Sequence, residues 1–258
     1  MAEGRPCSFL HVSRPEIDLP EGTATNDPSV YAKARENFDR LIAEGALRRD
    51  GQAHFYLYRQ IMGENSQLGL VAVASCAEYD ANTIRKHEFT RPDKEDDRVA
   101  HLEVLDAQTG PVFLTYSADA ELDALFDRVA AGEPDVDFTA PDGVRHTSWT
   151  IAAGEDTAFV ESRFDGIPNL YIADGHHRSA AASRVNQSRS GAGTSDLFLT
   201  VIFPHDQMQI LAYNRAVKDL NGLSIDEFRT ALGQTFEIEP SGQAKPTGKH
   251  EIGLYLDG

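Results

Sequence analysis

Cysteine is nearly absent from this chain: its 258 residues include only Cys7 and Cys76. Two cysteines so far apart in sequence argue against a disulfide framework or a thiolate metal site. Both are expected to be reduced, with Cys76 packed in the interior. Long apolar runs are also lacking. None approaches the roughly 20 residues that a membrane-spanning helix needs, and the N-terminus has no charged-then-apolar signal pattern. These absences predict a cytoplasmic protein without a membrane partner. Positive charge is scarce as well, with 24 Lys and Arg against 41 Asp and Glu and a net charge of −17. Such a balance repels polyanions at long range and argues against nucleic acid as a partner, while leaving room for a local cationic pocket.

Apolar residues make up 41% of the chain, enough for a sizeable core and for one compact unit spanning 1–258. Residues 9–12 read as a strand. Val30, Ala34, Phe38 and Leu41 follow a loop over 20–27 and recur at helical spacing, predicting a helix through 35–44 that Gly45 ends. Residues 54–61 and 67–76 are rich in aromatic, β-branched and apolar side chains. The turn Met62-Gly63-Glu64-Asn65 between them makes a hairpin.

Further strands are expected at 111–116, 144–151, 170–173, 197–203, 209–213 and 251–256. Helices are expected around 122–129, 156–164, 176–189 and 225–232, with a mobile Gly/Ser-rich loop at 188–195. Strands interspersed with helices, without repeats or low-complexity tracts, predict an α+β (mixed α/β) fold in which helices flank a mixed sheet. A last strand running almost to Gly258 suggests a fragment whose sheet partners lie in sequence beyond it.

The most informative stretch is Asp174-Gly175-His176-His177-Arg178. A short buried strand delivers the chain to an Asp-Gly turn, and the helix that follows opens with two histidines and an arginine. Cations at a helix N-terminus oppose the macrodipole by about 0.3–1 kcal/mol each, a cost that makes sense if an anion sits there. Free backbone N–H groups, an Arg fork and imidazole donors would together form a phosphate site. Gly175 permits close backbone approach, and Ala180, Ala181 and Ala182 let the helix pack tightly on the sheet. Asp174 is a candidate N-cap, a candidate magnesium ligand, or both in different states. The bland alternative is a capped helix whose His and Arg side chains face water. Zinc fits less well, because adjacent helical residues point about 100° apart and no His-x-x-x-His or Cys-x-x-Cys accompanies them.

Residues 85–98 mix both charge signs, a pattern that usually marks a solvated helix face. On a helix, Val99, Leu102 and Leu105 would line one face and Lys94, Asp97, Arg98 and His101 another. In the functional reading, His87 and Glu88 border a phosphate pocket where a carboxylate takes a proton from a substrate hydroxyl. Lys94, Arg98 and His101 would then neutralise phosphate charge. Trp149 and His146 fall on an expected strand and read as ordinary structural residues.

Several motifs, in order and spacing, resemble the family catalogued as domain of unknown function 1015. They are Phe9-Leu10-His11-Val12 with Arg14-Pro15-Glu16, Lys86-His87-Glu88, Thr90-Arg91-Pro92, the run 94–98, Gly110-Pro111-Val112-Phe113-Leu114, the Asp174–Arg178 turn and Tyr213-Asn214-Arg215. The turn is also similar to that of archaeal free serine kinases, which implies a ParB/sulfiredoxin-like fold binding nucleotide phosphates there. That likeness implies phosphate transfer from ATP or ADP, with Mg2+, to a small hydroxyl metabolite such as serine. Under it the catalytic residues are Glu88, Asp174 and His177, with Asp174 near the metal and Glu88 as base. The phosphates would lie against Gly175, His176, His177, Arg178, Lys94 and Arg98.

Sulfiredoxins carry cysteine where this chain has His176, so their sulfur chemistry is not expected. ParB proteins carry a basic helix-turn-helix domain that this acidic chain lacks. Two other readings stand beside the kinase. A nucleotide- or phosphometabolite-binding regulatory module would bind at the Asp174 turn without turnover. A metal-dependent hydrolase would require zinc or manganese held through His176 or His177. Homodimer formation is left open.

Overall fold

The computed structural model describes residues 2–240, 246 and 248–256. Contacts divide the chain into two units, Met1–Met208 and Gln209–Gly258.

In the first unit the expected hairpin forms. β1 (Phe55–Met62) and β2 (Asn65–Ser75) pair antiparallel, with Met62 opposite Asn65 and Leu57 opposite Leu70. Gly63 at the turn has φ of +60°, a left-handed conformation that glycine adopts at no steric cost. The other strands are β3 (Ile84–Arg85), β4 (Val112–Tyr116), β5 (Val136–Thr139), β6 (Arg145–Ile151), β7 (Leu170–Asp174) and β8 (Leu197–Pro204). They form an eight-stranded sheet in the order β3-β7-β4-β8-β2-β1-β6-β5. The β3–β7 and β4–β8 pairs are parallel and the others antiparallel. The fold is therefore mixed α/β, with helices flanking a mixed sheet. β3 and β5 have no counterpart in the sequence reading, because segments of two and four residues are too short to show a period.

Among the described residues of this unit, seven α-helices accompany the sheet: α1 (Leu10–Ser13), α2 (Pro28–Ala43), α3 (Cys76–Asp80), α4 (Pro92–Leu105), α5 (Ala120–Ala130), α6 (Glu155–Asp165) and α7 (His176–Arg189). Residues 9–12, expected as a strand, instead close into a helical turn, with Ser13 N–H donating to Phe9 O at 3.0 Å. A four-residue apolar stretch suits either period, and packing decides it. Val12 is fully buried in a small core with Ala34 and Leu41 of α2 and Leu105 of α4. α2 begins earlier than its expected start at residue 35, because Asp27 accepts from Ser29 N–H and Pro28 occupies the first turn.

The main core joins Leu57, Leu70, Leu114, Tyr116, Phe126, Trp149 and Phe198, with Cys76 packed inside it. The Tyr116 and Phe164 rings, 5.3 Å apart, tie β4 to α6. α7 presents Ala180, Ala181, Ala182 and Val185 to the interior. Its small side chains allow it to pack closely among α3, α4, β4 and β8.

In the second unit, α8 (Ile225–Leu232) starts with a reciprocal capping box between Ser224 and Glu227. The strands expected at 209–213 and 251–256 do not form. Apolar character alone does not make a strand, which requires a ladder partner, and Ile210, Leu211, Tyr213, Ile252, Leu254 and Tyr255 are exposed. The Arg215 guanidinium stacks on the Tyr213 ring at 3.8 Å. Among the described residues, no helix is long and apolar enough to cross a membrane.

Candidate functional site

The site is built where β7 hands the chain to α7. β7 lies between β3 and β4, and its pairing with β4 shifts register: Phe113 faces Asp174 while Leu114 faces Ile172. Ala173 is thus the extra residue of a bulge, a feature that re-aims a strand end. Gly175 follows with φ of +97° and occupies the N-cap position of α7. The expected N-cap role of Asp174 is corrected here. Asp174 is the last residue of the strand, and no side chain caps the helix. Its carboxylate instead pairs with Arg178, whose Nη1 also donates to Pro111 O. The first N–H groups of α7 therefore have no side-chain acceptor and present the positive end of the helix dipole. No acidic residue lies in the first turn to offset it.

β3 runs parallel to β7 and places residues 86–91 beside this helix terminus. His87 N–H points to His176 Nε2 at 3.5 Å, and Arg91 N–H donates to His177 Nε2 at 3.1 Å. Glu88 Oε2 stands 3.4 Å from His176 Nδ1. The His87 ring meets the His176 ring edge-on at 4.4 Å. His176 is only 3% exposed, and burial, then the neighbouring His87, lower its pKa below the usual histidine value. Its Nε2 is turned to a backbone N–H, and its Nδ1 faces Glu88.

α4 contributes the opposite wall. Its acidic residues are largely paired: Asp93 with Arg91, Glu95 with Thr90 and Arg184, Asp96 with Arg184, and Asp97 with the Tyr31 hydroxyl and, at 3.8 Å, with Arg98. Lys94 and Arg98, one turn apart, line the cleft. The helix is held by the small N-terminal core and by His101 Nε2, which donates to Val12 O at 2.9 Å. Burial lowers the His101 pKa, in keeping with a neutral ring.

The resulting cleft has a volume of about 540 Å³ and is lined by Glu88, Lys94, Arg98, Asp174, Gly175, His176, His177 and Arg178, the eight residues singled out from sequence. Against the −17 of the whole chain, its fixed charges are three cations (Lys94, Arg98, Arg178) and two carboxylates (Glu88, Asp174). His101, named above only for its charge, also lines it, together with Ser13, Gln108, Thr109 and Gly110. Sequence reasoning missed Gln108. Its side chain donates to Leu197 O at 2.8 Å and accepts from Leu199 N–H, which fixes the loop ahead of β4. A lone Gln carries no local signal of such a role. His146 lies away from the cleft, its Nδ1 2.6 Å from the Tyr58 hydroxyl, and Trp149 donates to Gly132 O at 3.1 Å.

Among the described residues, no group of three or more His, Cys, Asp or Glu side chains could hold a metal ion by itself. Magnesium accompanying a nucleotide needs only one or two carboxylates, the phosphates supplying other oxygens. Asp174 fits that requirement: its side chain is 72% exposed and lines the cleft.

The family profile described as protein of unknown function DUF1015 matches residues 1–258. The chain belongs to this family. No curated protein and no solved structure matches it. In this DUF1015 protein, Glu88, Lys94, Arg98, Gly110 and the Asp174–Arg178 turn, far apart in the chain, line one cleft, with the rest of segment 86–91 beside it.

Proposed function

We propose that the cleft is a phosphotransferase site of free-serine-kinase type, on a ParB/sulfiredoxin-like core, that moves phosphate from ATP or ADP to a small hydroxyl metabolite. One observation carries this reading. An uncapped helix N-terminus, Arg178, Lys94 and Arg98 converge on a cleft that also holds the carboxylates Glu88 and Asp174. Phosphoryl transfer asks little covalent chemistry of the protein, and catalysis comes from positioning and charge stabilisation.

The donor phosphates would sit against the α7 N–H groups, with Arg178 fixed beside them by Asp174 and the Pro111 carbonyl. Lys94 and Arg98 would balance charge from the opposite wall. Magnesium, held by Asp174 and the phosphates, would supply further neutralisation of the transferred group. Glu88, with its side chain 56% exposed and one oxygen toward His176 Nδ1, would accept the proton of the substrate hydroxyl. Serine is the first acceptor to test.

The Asp174–Arg178 pair supports a second reading. Both side chains already satisfy one another, as suits a regulatory module that binds a nucleotide or phosphometabolite without turnover. Purified protein incubated with magnesium, ATP or ADP and a pool of hydroxyl metabolites including serine separates the two. Phosphorylated product from wild type and none from Asp174→Ala supports the transferase. Nucleotide binding without consumption supports the module.

A further inference from the structure

We propose that His176 and His177 are positioning residues, which hold the 87–91 arch that presents Glu88 to the cleft; the role given to Glu88 rests on the phosphotransferase reading. The arch leaves β3, crosses the start of α7 and enters α4 at Pro92. It is fastened near both ends through side chains of consecutive residues of α7: His87 N–H to His176 Nε2 at 3.5 Å and Arg91 N–H to His177 Nε2 at 3.1 Å. A ring nitrogen that accepts a backbone N–H carries no proton, so neither Nε2 can donate to a phosphate while the arch is in place. The remaining nitrogen of His176 faces Glu88 at 3.4 Å, and the ring is too buried to meet solvent phosphate.

Adjacent helical residues point about 100° apart, so the pair reaches two separate points of the arch from one helical turn. Phe89, at the middle of the arch, is 99% exposed. With no apolar packing for that ring, the arch is held by hydrogen bonds: these two side-chain acceptors, and Thr90 Oγ1, which donates to Glu95 Oε2 at 2.7 Å. This gives two consecutive histidines at a helix start a structural use: each supplies an acceptor to the arch.

The test uses the full chain and three readouts. Two-bond 1H–15N spectra of His176 and His177 should show the Nδ1–H tautomer for both, and an Nε2–H tautomer at either would overturn its assigned role. In His177→Ala, hydrogen exchange of the Arg91 amide should accelerate about tenfold, the loss expected for one hydrogen bond. His177→Gln, whose Oε1 can accept in place of Nε2, should restore protection. Affinity for Mg-ADP, measured by calorimetry, should stay within about twofold in both variants, against the roughly tenfold loss expected on removing a phosphate ligand. Unchanged Arg91 exchange in His177→Ala, or a tenfold affinity loss that His177→Gln does not repair, overturns the inference. If wild type binds no ADP and transfers no phosphate, the transferase reading fails. The tautomer and exchange results still decide the role of the histidines.

Discussion

The Arg178 guanidinium lies over Gly175, its Nε and Nη2 only 2.9 Å from where a Cβ would stand on that glycine. Backbone and side chain are thus matched: the missing Cβ makes room for the fork that grips Asp174 and Pro111 O. Gly175→Ala meets two penalties. A φ of +97° is unfavourable for any L side chain by about 1–2 kcal/mol, and the guanidinium must move. The expected outcome is an unfolding free energy in urea lowered by about that amount, with weaker Mg-ADP binding by calorimetry. Unchanged affinity would show that Arg178 is not needed where the structure puts it.

Lys94 and Arg98 face the cleft; Glu95 and Asp96 pair with Arg184, and Asp97 is shared between the Tyr31 hydroxyl and, at 3.8 Å, Arg98. Lys94→Ala with Arg98→Ala should weaken Mg-ADP binding about tenfold or more and flatten its salt dependence. Arg189→Ala, which removes a surface pair with Asp106, should leave binding unchanged. Titrations at two salt concentrations check both.

Glu88→Gln keeps shape and removes the base. Phosphate transfer should fall by about 10²–10⁴, while Mg-ADP affinity holds. A parallel loss of affinity would mean that Glu88 serves binding and not proton transfer.

Leu41 is buried in the core that props α4 against α1 and α2. Leu41→Ala should cost about 2–5 kcal/mol in urea unfolding. Any loss of ligand affinity should follow from looser placement of Lys94 and Arg98.

His101 titrates below the ordinary histidine value because burial disfavours its charged form. The nearby Arg98 adds to that, while the hydrogen bond to Val12 O and the charge of Asp97 oppose it. A lowered folded pKa means that the unfolded chain takes up the proton first, so this contribution is complete above about pH 6.5 and declines as pH falls through the folded value. Wild type should therefore lose stability more steeply between about pH 7 and pH 5 than His101→Gln does, as measured by urea unfolding at each pH.

Local chemistry determined much of this protein from its sequence. Strong β-formers around Gly63 dictated the hairpin, alanines at 180–182 a close-packed helix, and Gly175 followed by His-His-Arg a helix start with no acidic residue in its first turn. Short segments were undetermined, because residues 9–12 and 84–85 fit more than one period, and the apolar stretches 209–213 and 251–256 carry no information about whether a ladder partner exists. Tertiary structure alone decided that Glu88 and Lys94 meet the Asp174 turn, since the parallel pairing of β3 with β7 brings segments distant in the chain to one sheet end. It also decided what the histidines do. Sequence marks an imidazole as a candidate donor, but which nitrogen holds the proton depends on what lies within 3.5 Å of it, and here that is the backbone of another segment.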